Sequence, residues 1–321
     1  MNHRIWITWE NQRRNRSLSS VLKAKLFELN YDSDNPLLRY AKCILSTLKI
    51  FIKEKPSVVF VQNPSIILAT VALIASKCFR FHLIVDAHNG GVNPKDRKSR
   101  FLNLWAALLL RYSPNTIITN SILKDEITIR SAKKPRLFIL PDPIPVISKP
   151  SALVNLSGQD NILFICTWAI DEPYMEVIKA AKKLPKTVHI YVTGNYKKAN
   201  IDTSQLPSNV TLTGFISNEE FDQLLYSADI IMDLTTREGC LVCGAYESIA
   251  VGKPLILSDT LALRKYFRCM TYTKNNSLAI CQAITSSIEN KKELTEAAVK
   301  LKEKLNIEWD EMKEELEMPL P

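Results

Sequence analysis

The chain has 321 residues, 46% of them hydrophobic and 23% charged, which excludes a low-complexity or disordered protein and leaves room for about two globular domains. Lysine and arginine outnumber acids 42 to 33, but the excess is one-sided: residues 1–150 carry a net +14 and residues 151–321 a net −5. A basic half beside an acidic half points to an acidic partner on one side only, an anionic membrane surface or a lipid-linked phosphate; the basic clusters at 13–16, 95–100 and 133–136 lack the interleaved aromatics of a nucleic-acid surface, so nucleic acid is set aside.

Seven scattered cysteines give no disulfide framework and fit a reducing cytoplasm. Cys240 and Cys243 form the one close pair, without a second pair or a nearby histidine, and read as loop packing; no metal is expected. The opening alternation at residues 4–9 is too short for a secretory segment. The longest apolar run, residues 66–75, falls short of the ~20 residues that a spanning helix needs and reads as a core helix, so any membrane contact is expected to be peripheral.

In chain order, a strand at 5–8 is followed by a basic loop with Arg13, Arg14 and Arg16. A helix from Ser17 follows, on the spacing of Leu18, Val21, Leu22, Leu26 and Leu29. Asn35-Pro36 precedes a helix over 37–52. A buried strand at 58–61 ends in Gln62-Asn63-Pro64-Ser65 and feeds the apolar helix at 66–76. The strand at 82–86 ends in Ala87-His88-Asn89-Gly90-Gly91, which places Asp86, His88 and Asn89 on the same rim as Gln62 and Asn63. A histidine beside a carboxylate can take a proton from a hydroxyl near neutral pH; a turn-stabilising His88 is the alternative. Helices at 101–112 and 120–129 and strands at 116–119 and 138–140 complete an alternation that predicts a parallel sheet. Three prolines within 141–145 and a polar stretch to residue 160 mark the boundary between domains 1–150 and 151–321.

The second half restarts with a strand at 162–165, then Thr167-Trp168 and Asp171-Glu172-Pro173, the proline opening a helix to Lys183. A strand at 188–193 ends at Gly194 with Lys197 just beyond. A strand at 210–215, a helix capped by Ser217 with Glu219 and Glu220, and a strand at 230–234 follow. The densest stretch comes next, residues 237–260, REGCLVCGAYESIAVGKPLILSDT. Here a charged loop leads into a helix opened by Gly244 and Ala245 and closed by Gly252, with Pro254 beyond it. Free backbone N–H groups and a positive dipole end at such a helix start suit a phosphate; Glu247, one turn in, can reach a ribose diol, and Arg237 and Glu238 sit on the loop above. An ordinary strand-loop-helix unit with solvated charges is the alternative. A charged periodic helix over 290–316 ends the chain, with Trp309 and Met312 available to pack.

Glu238-Gly239, Glu247, Gly252-Lys253-Pro254 and a strand ending in Ser258-Asp259-Thr260 resemble the nucleotide-sugar site of GT-B glycosyltransferases, as in the bacterial family 1 and family 4-like enzymes of polysaccharide assembly. The loops at 61–64 and 86–89 are similar to those in the acceptor domain of a subset that includes the chitobiosyl-lipid β-mannosyltransferase. The resemblance implies two Rossmann-like, doubly wound α/β domains facing each other across a cleft, the first binding the acceptor and the second the donor, with the terminal helix crossing back onto the first. It implies a metal-independent, hexosyltransferase-type enzyme without cofactor that uses a UDP- or GDP-sugar and a glycan acceptor; the +14 of the first half, with no spanning segment, fits a polyprenyl-diphosphate-linked acceptor and an enzyme on the cytoplasmic side of the membrane.

Donor contacts are expected from Thr167, Gly194, Lys197, Arg237, Gly244, Ala245 and Glu247. Retaining members carry an Arg and a Lys for the pyrophosphate after the first strand of this half; here Thr167, Trp168, Asp171 and Glu172 stand there, and Arg237 or Lys197 is expected to compensate. For inversion Asp86 or His88 is the candidate base, and for retention Glu238 holds sugar hydroxyls. Glu238 and Glu247 stand nine apart where many retaining members have eight, which leans towards inversion. A catalytically silent GT-B-like binding or scaffold protein is the other reading.

Overall fold

The computed structural model describes residues 3–31, 35–63, 65–87, 89–92, 99–130 and 135–320. The chain forms two compact units, Met1–Pro143 with Glu308–Pro321, and Ile144–Ile307. Among the described residues no helix is long and apolar enough to cross a membrane.

In the first unit, strands β1 (Arg4–Thr8), β2 (Lys25–Glu28), β3 (Val58–Asn63), β4 (His82–Ala87), β5 (Asn115–Ile118) and β6 (Leu137–Ile139) make one parallel sheet ordered β2-β1-β3-β4-β5-β6. Its helices are α1 (Arg13–Val21), α2 (Pro36–Glu54), α3 (Ile66–Phe79), the short α4 (Asn89–Val92), α5 (Arg100–Tyr112) and α6 (Ser121–Arg130). Every residue of β3 is buried, as a strand covered on both faces requires. Side chains alternate on β1: Ile5 and Ile7 join a core with α2, α3 and α5, whereas Trp6 stacks on Phe60 and packs with α1 and with Trp309 and Leu316 from the last helix.

The helix expected from Ser17 to Leu29 is corrected. α1 begins at Arg13 and stops at Val21, Lys23 takes a left-handed conformation, and residues 25–28 form an edge strand in register with β1. The spacing of Leu18, Leu22, Leu26 and Leu29 mimics a helix, yet pairing with β1 satisfies the backbone of 25–28 and wins over local pattern. α2 starts where Asn35-Pro36 indicates: the Asn35 side chain accepts from the Leu37 N–H at 2.9 Å, and Pro36 occupies the first turn.

In the second unit, β7 (Asp160–Phe164), β8 (Val188–Thr193), β9 (Val210–Gly214), β10 (Ile230–Asp233), β11 (Leu255–Ser258) and β12 (Thr271–Thr273) form a parallel sheet ordered β12-β11-β10-β7-β8-β9. α7 (Tyr174–Ala181), α8 (Asn218–Ser227), α9 (Cys243–Val251), α10 (Leu261–Tyr266), α11 (Ser277–Glu289) and α12 (Lys291–Glu317) complete it. α7 and α11 cover one face, and α8, α9, α10 and the first part of α12 the other. Ser217 and Glu220 form the capping box at the start of α8. Strand order reverses between β7 and β10 here, and between β1 and β3 in the first unit; the carboxyl ends of strands at such reversals are where open α/β sheets bind ligands.

From Glu308 onward α12 belongs to the first unit, where Trp309 is buried and its indole N–H donates to the Pro141 carbonyl at 2.9 Å. Trp309→Ala is expected to cost about 3–5 kcal/mol in urea unfolding. A loss below about 1 kcal/mol would remove this helix end from the core of that unit.

Candidate functional site

In the second unit, the loops after β7 and β10 flank the strand-order reversal. Glu172 dominates the first of them. Its carboxylate accepts from the backbone N–H of Thr167 and of Ala169, each at 2.9 Å, and from the Thr167 hydroxyl at 2.9 Å. The Cys166 thiol donates to it at 3.2 Å; burial and the Glu172 charge push that thiol up, so it keeps its proton. Glu172 thus fills the anion-accepting turn in which Thr167 was expected to meet a donor.

The neighbouring loop is locked to this turn. A Cβ at Gly194 would lie 2.1 Å from the Cys166 carbonyl oxygen, and Gly194 has φ +86°, so only glycine fits. Trp168, itself at φ 63°, donates its indole N–H to the Thr193 carbonyl at 2.9 Å and packs against Tyr174 and Tyr196. Gly194 is therefore a packing requirement of the two loops, and Lys197, on the turn that follows, is exposed.

On the other side of the reversal, Asp171 ties the two loops together. It accepts from the Thr235 hydroxyl at 3.0 Å and pairs with Arg237 at 3.2 Å, while its carbonyl receives the Thr236 N–H at 2.7 Å. Arg237 remains about half exposed and Glu238 is exposed beside it. α9 begins at Cys243, and Val242 before it has no side-chain acceptor to cap the helix.

The expected free amide at Gly244 is corrected: it donates to Asp233 Oδ2 at 2.8 Å, and a Cβ at this position would come within 2.6 Å of that oxygen and 2.7 Å of Ile165. Burial raises the Asp233 pKa well above its ordinary value against the pull of the Gly244 N–H, and Glu172, Glu247 and Asp171 push it the same way. Ala245 and Glu247 are buried in the first turns of the helix. Thr167, Gly194, Arg237, Gly244, Ala245 and Glu247 do gather at one sheet edge. Trp168 and Asp233 were not singled out from sequence; an acid ending a buried strand at the reversal was the available signal for the latter.

In the first unit Asp86 is fully buried at the end of β4. Arg14 grips it with two hydrogen bonds, Nε to Oδ2 at 2.9 Å and Nη2 to Oδ1 at 2.8 Å, and also meets Asp142 at 2.7 Å and the Leu140 carbonyl at 2.9 Å. Burial alone would lower the guanidinium pKa, but the two carboxylates outweigh it and the pKa is raised, so Arg14 stays charged. With both oxygens held, Asp86, the other candidate base, is paired as the counter-ion of Arg14. His88 lies outside the described residues, as do Pro64 and most of the basic clusters at 95–100 and 133–136.

Beside this rim a cavity of about 410 Å³ is lined by Trp9 and Glu10 after β1, Arg39 and Tyr40 of α2 and Trp105 of α5, among others. The indoles are fixed by bonds from Trp9 to Thr47 and from Trp105 to Thr70. At the end of β3, Gln62 Nε2 and both side-chain polar atoms of Asn63 are buried without a hydrogen-bond partner among the described residues.

The two parallel-sheet units make this a two-domain α/β protein of the GT-B fold. No protein-family model matches the chain, and no curated protein matches it in sequence. Among solved structures it is similar to HepE from Anabaena in complex with UDP and glucose, with TM-score 0.74, 13% identity, and 97% of this chain and 91% of that one covered. It is similar too to sucrose-phosphate synthase from Thermosynechococcus elongatus, with TM-score 0.71, 14% identity, and 91% and 82% covered. The UDP-GlcNAc 2-epimerase from Methanocaldococcus jannaschii shares the fold at TM-score 0.60, 14% identity, and 88% and 92% covered.

Two substitutions probe these edges. Arg14→Met leaves Asp86 buried without its partner and is expected to cost about 3–5 kcal/mol in urea unfolding; a neutral result would mean the pair is not structural. Asp233 binds its proton more tightly folded than unfolded, so its contribution to stability is intact below the ordinary value of 3.8 and is lost as pH rises towards its raised folded value. Asp233→Asn keeps an acceptor for Gly244 and removes that slope. The variant is expected to gain stability relative to the parent as pH rises above 3.8 in urea unfolding, and an unchanged difference would refute the raised pKa.

Proposed function

We propose that this protein is a glycosyltransferase of hexosyl type, moving a sugar from a UDP- or GDP-sugar to a hydroxyl of a glycan acceptor carried on a polyprenyl diphosphate, in cell-surface polysaccharide assembly. It would work from the cytoplasm in peripheral contact with the inner face of the membrane. The bond between the sugar C1 and the diphosphate oxygen breaks and a C1–oxygen bond to the acceptor forms; the acceptor proton goes to a base and the charge goes to the leaving diphosphate. The observation that carries the reading is the meeting, at the β7/β10 reversal, of the α9 start, Arg237 and Glu247, in a fold shared with complexes that hold UDP and UDP-glucose.

In this reading the positive end of α9 and Arg237, with Lys197 nearby, stabilise the leaving diphosphate without a metal. Glu247 holds the ribose hydroxyls. His88 is the base of an inverting reaction, with Asp86 and Arg14 fixing the strand end before it, while Glu238 would hold sugar hydroxyls if the anomeric configuration were retained. The aromatic cavity with Arg39 suits the acceptor, since indole and phenol faces pack against sugar rings or isoprenoid carbons and a guanidinium pairs with phosphate. A second reading, a catalytically silent GT-B-like protein that binds only a partner or glycan and no donor, is favoured by one feature: Glu172 and Asp233 occupy the turn and the helix start that a diphosphate would otherwise use.

A thermal-shift panel of nucleotide sugars separates the two. A donor at a hundred times its Kd is expected to stabilise the protein by about 2.7 kcal/mol, and Arg237→Ala to weaken binding roughly tenfold in calorimetry. No shift with any UDP- or GDP-sugar would overturn the transferase reading, and unchanged affinity would take Arg237 out of the site. The anomeric proton of the product, read by NMR, decides between inversion and retention.

A further inference from the structure

α2, α3 and α5 pack side by side on one face of the first sheet, with Phe51, Ala72 and Leu109 turned into a shared core. Their outer surfaces are unusually apolar. α5 presents Phe101, Leu104, Leu108 and Tyr112 at spacings of three and four, one stripe along the helix, with Phe101 69% and Leu104 60% exposed. α2 repeats the pattern with Leu38, Leu45 and Ile52, and α3 adds Ile74 at 64%. Of the twenty-three large apolar side chains exposed among the described residues, eleven lie on these three helices. A soluble monomer rarely leaves so much apolar surface together without a use for it.

The same helices carry seven lysines and arginines, among them Lys42 and Lys49 on the leucine-bearing side of α2, against a single acid, Glu54. Glu54 is itself held by His3 and Lys25. A second copy of this chain seated on the face would set seven cations against seven, which repel. An anionic bilayer satisfies both features: leucine, isoleucine and phenylalanine side chains enter the boundary between headgroups and acyl chains, and the lysine and arginine heads reach the lipid phosphates.

We propose that the outer face of α2, α3 and α5 is a membrane-docking surface that seats this protein on anionic lipid. Tyr40 and Ile66, near the N-terminal ends of α2 and α3, and Trp105 of α5 also line the cavity of about 410 Å³. A bilayer held on this face therefore brings lipid-borne molecules to the cavity's edge; only this last step rests on the acceptor proposed above.

The test is co-sedimentation of the full chain with vesicles of phosphatidylcholine alone and with added phosphatidylglycerol. Binding is expected to the anionic vesicles and to weaken as salt is raised. Leu104→Glu with Leu108→Glu is expected to lower the partition coefficient about tenfold, and Lys42→Glu with Lys49→Glu to lower it similarly while flattening its salt dependence. Phe215→Glu, which changes an exposed apolar residue of the second unit, should leave binding unchanged. All four positions in the first unit are exposed, and circular dichroism with the melting temperature confirms the fold of each variant.

Equal partition of the Leu104/Leu108 variant and the parent would overturn the proposal. So would failure to bind anionic vesicles, whether the face then proves to hold an acidic protein or, by analytical ultracentrifugation, a second copy. Vesicle binding without any donor-induced thermal shift would leave the docking face standing and remove the transferase reading.

Discussion

A carboxylate enclosed by packed side chains has to find hydrogen-bond donors or a proton, and acids at the carboxyl edges of both sheets meet this demand in different ways. Asp86 has a guanidinium: Arg14 reaches it from the first turn of α1 and holds Asp142 and the Leu140 carbonyl as well, so one side chain joins the ends of β4 and β6. Glu172 has loop amides and a hydroxyl. Asp233 has the Gly244 amide and, through its raised pKa, a stronger hold on its proton. These pairings fix the conformation of the loops on which any ligand must rest.

In the second unit the arrangement sets the terms for an incoming diphosphate. Asp171, Glu172 and Glu247 each lie close enough to act on Asp233, and Arg237 is already paired with Asp171. A diphosphate bound as proposed would compete with Glu172 for the amides of Thr167 and Ala169, and with Asp171 for the guanidinium. Proton uptake by Asp233 lowers the repulsion it would feel, because a protonated carboxyl still accepts from Gly244 while losing its charge. If the proposed donor binds here, it would draw on rearranged ion pairs more than on a preformed positive pocket.

Much of the architecture was legible in the pattern of residues. Strands buried on both faces read as short apolar runs, and Asn35-Pro36, Ser217 with Glu220, and Gly252 marked helix ends through local chemistry that tertiary packing did not disturb. The helical spacing at 18–29 misled because an edge strand can carry the same leucines when a neighbouring strand supplies its hydrogen bonds. Asp86 and Gly244 were legible as rim residues but not as occupied ones. Their partners, Arg14 and Asp233, lie 72 and 11 positions away, and no local spacing reports a contact made by folding. Trp168 escaped for a similar reason: its indole bonds to the Thr193 carbonyl, 25 positions away.

The contrast between a basic first half and an acidic second half has two separate physical sources. In the second unit several acids are buried or partly buried at the sheet edge, where hydrogen bonds and an ion pair hold them and where they shape loops. In the first, the cations on α2, α3 and α5 are mostly exposed, and exposed charges contribute little to folding stability. Folding therefore gives no reason for them to gather on the same helices as eleven exposed apolar side chains, and apolar residues on a solvated helix face gain nothing from remaining in water. A surface that is at once apolar and cationic is accounted for by what it touches. A lipid boundary has both qualities that the proposed docking would need, an apolar interior within side-chain reach and a layer of negative charge above it.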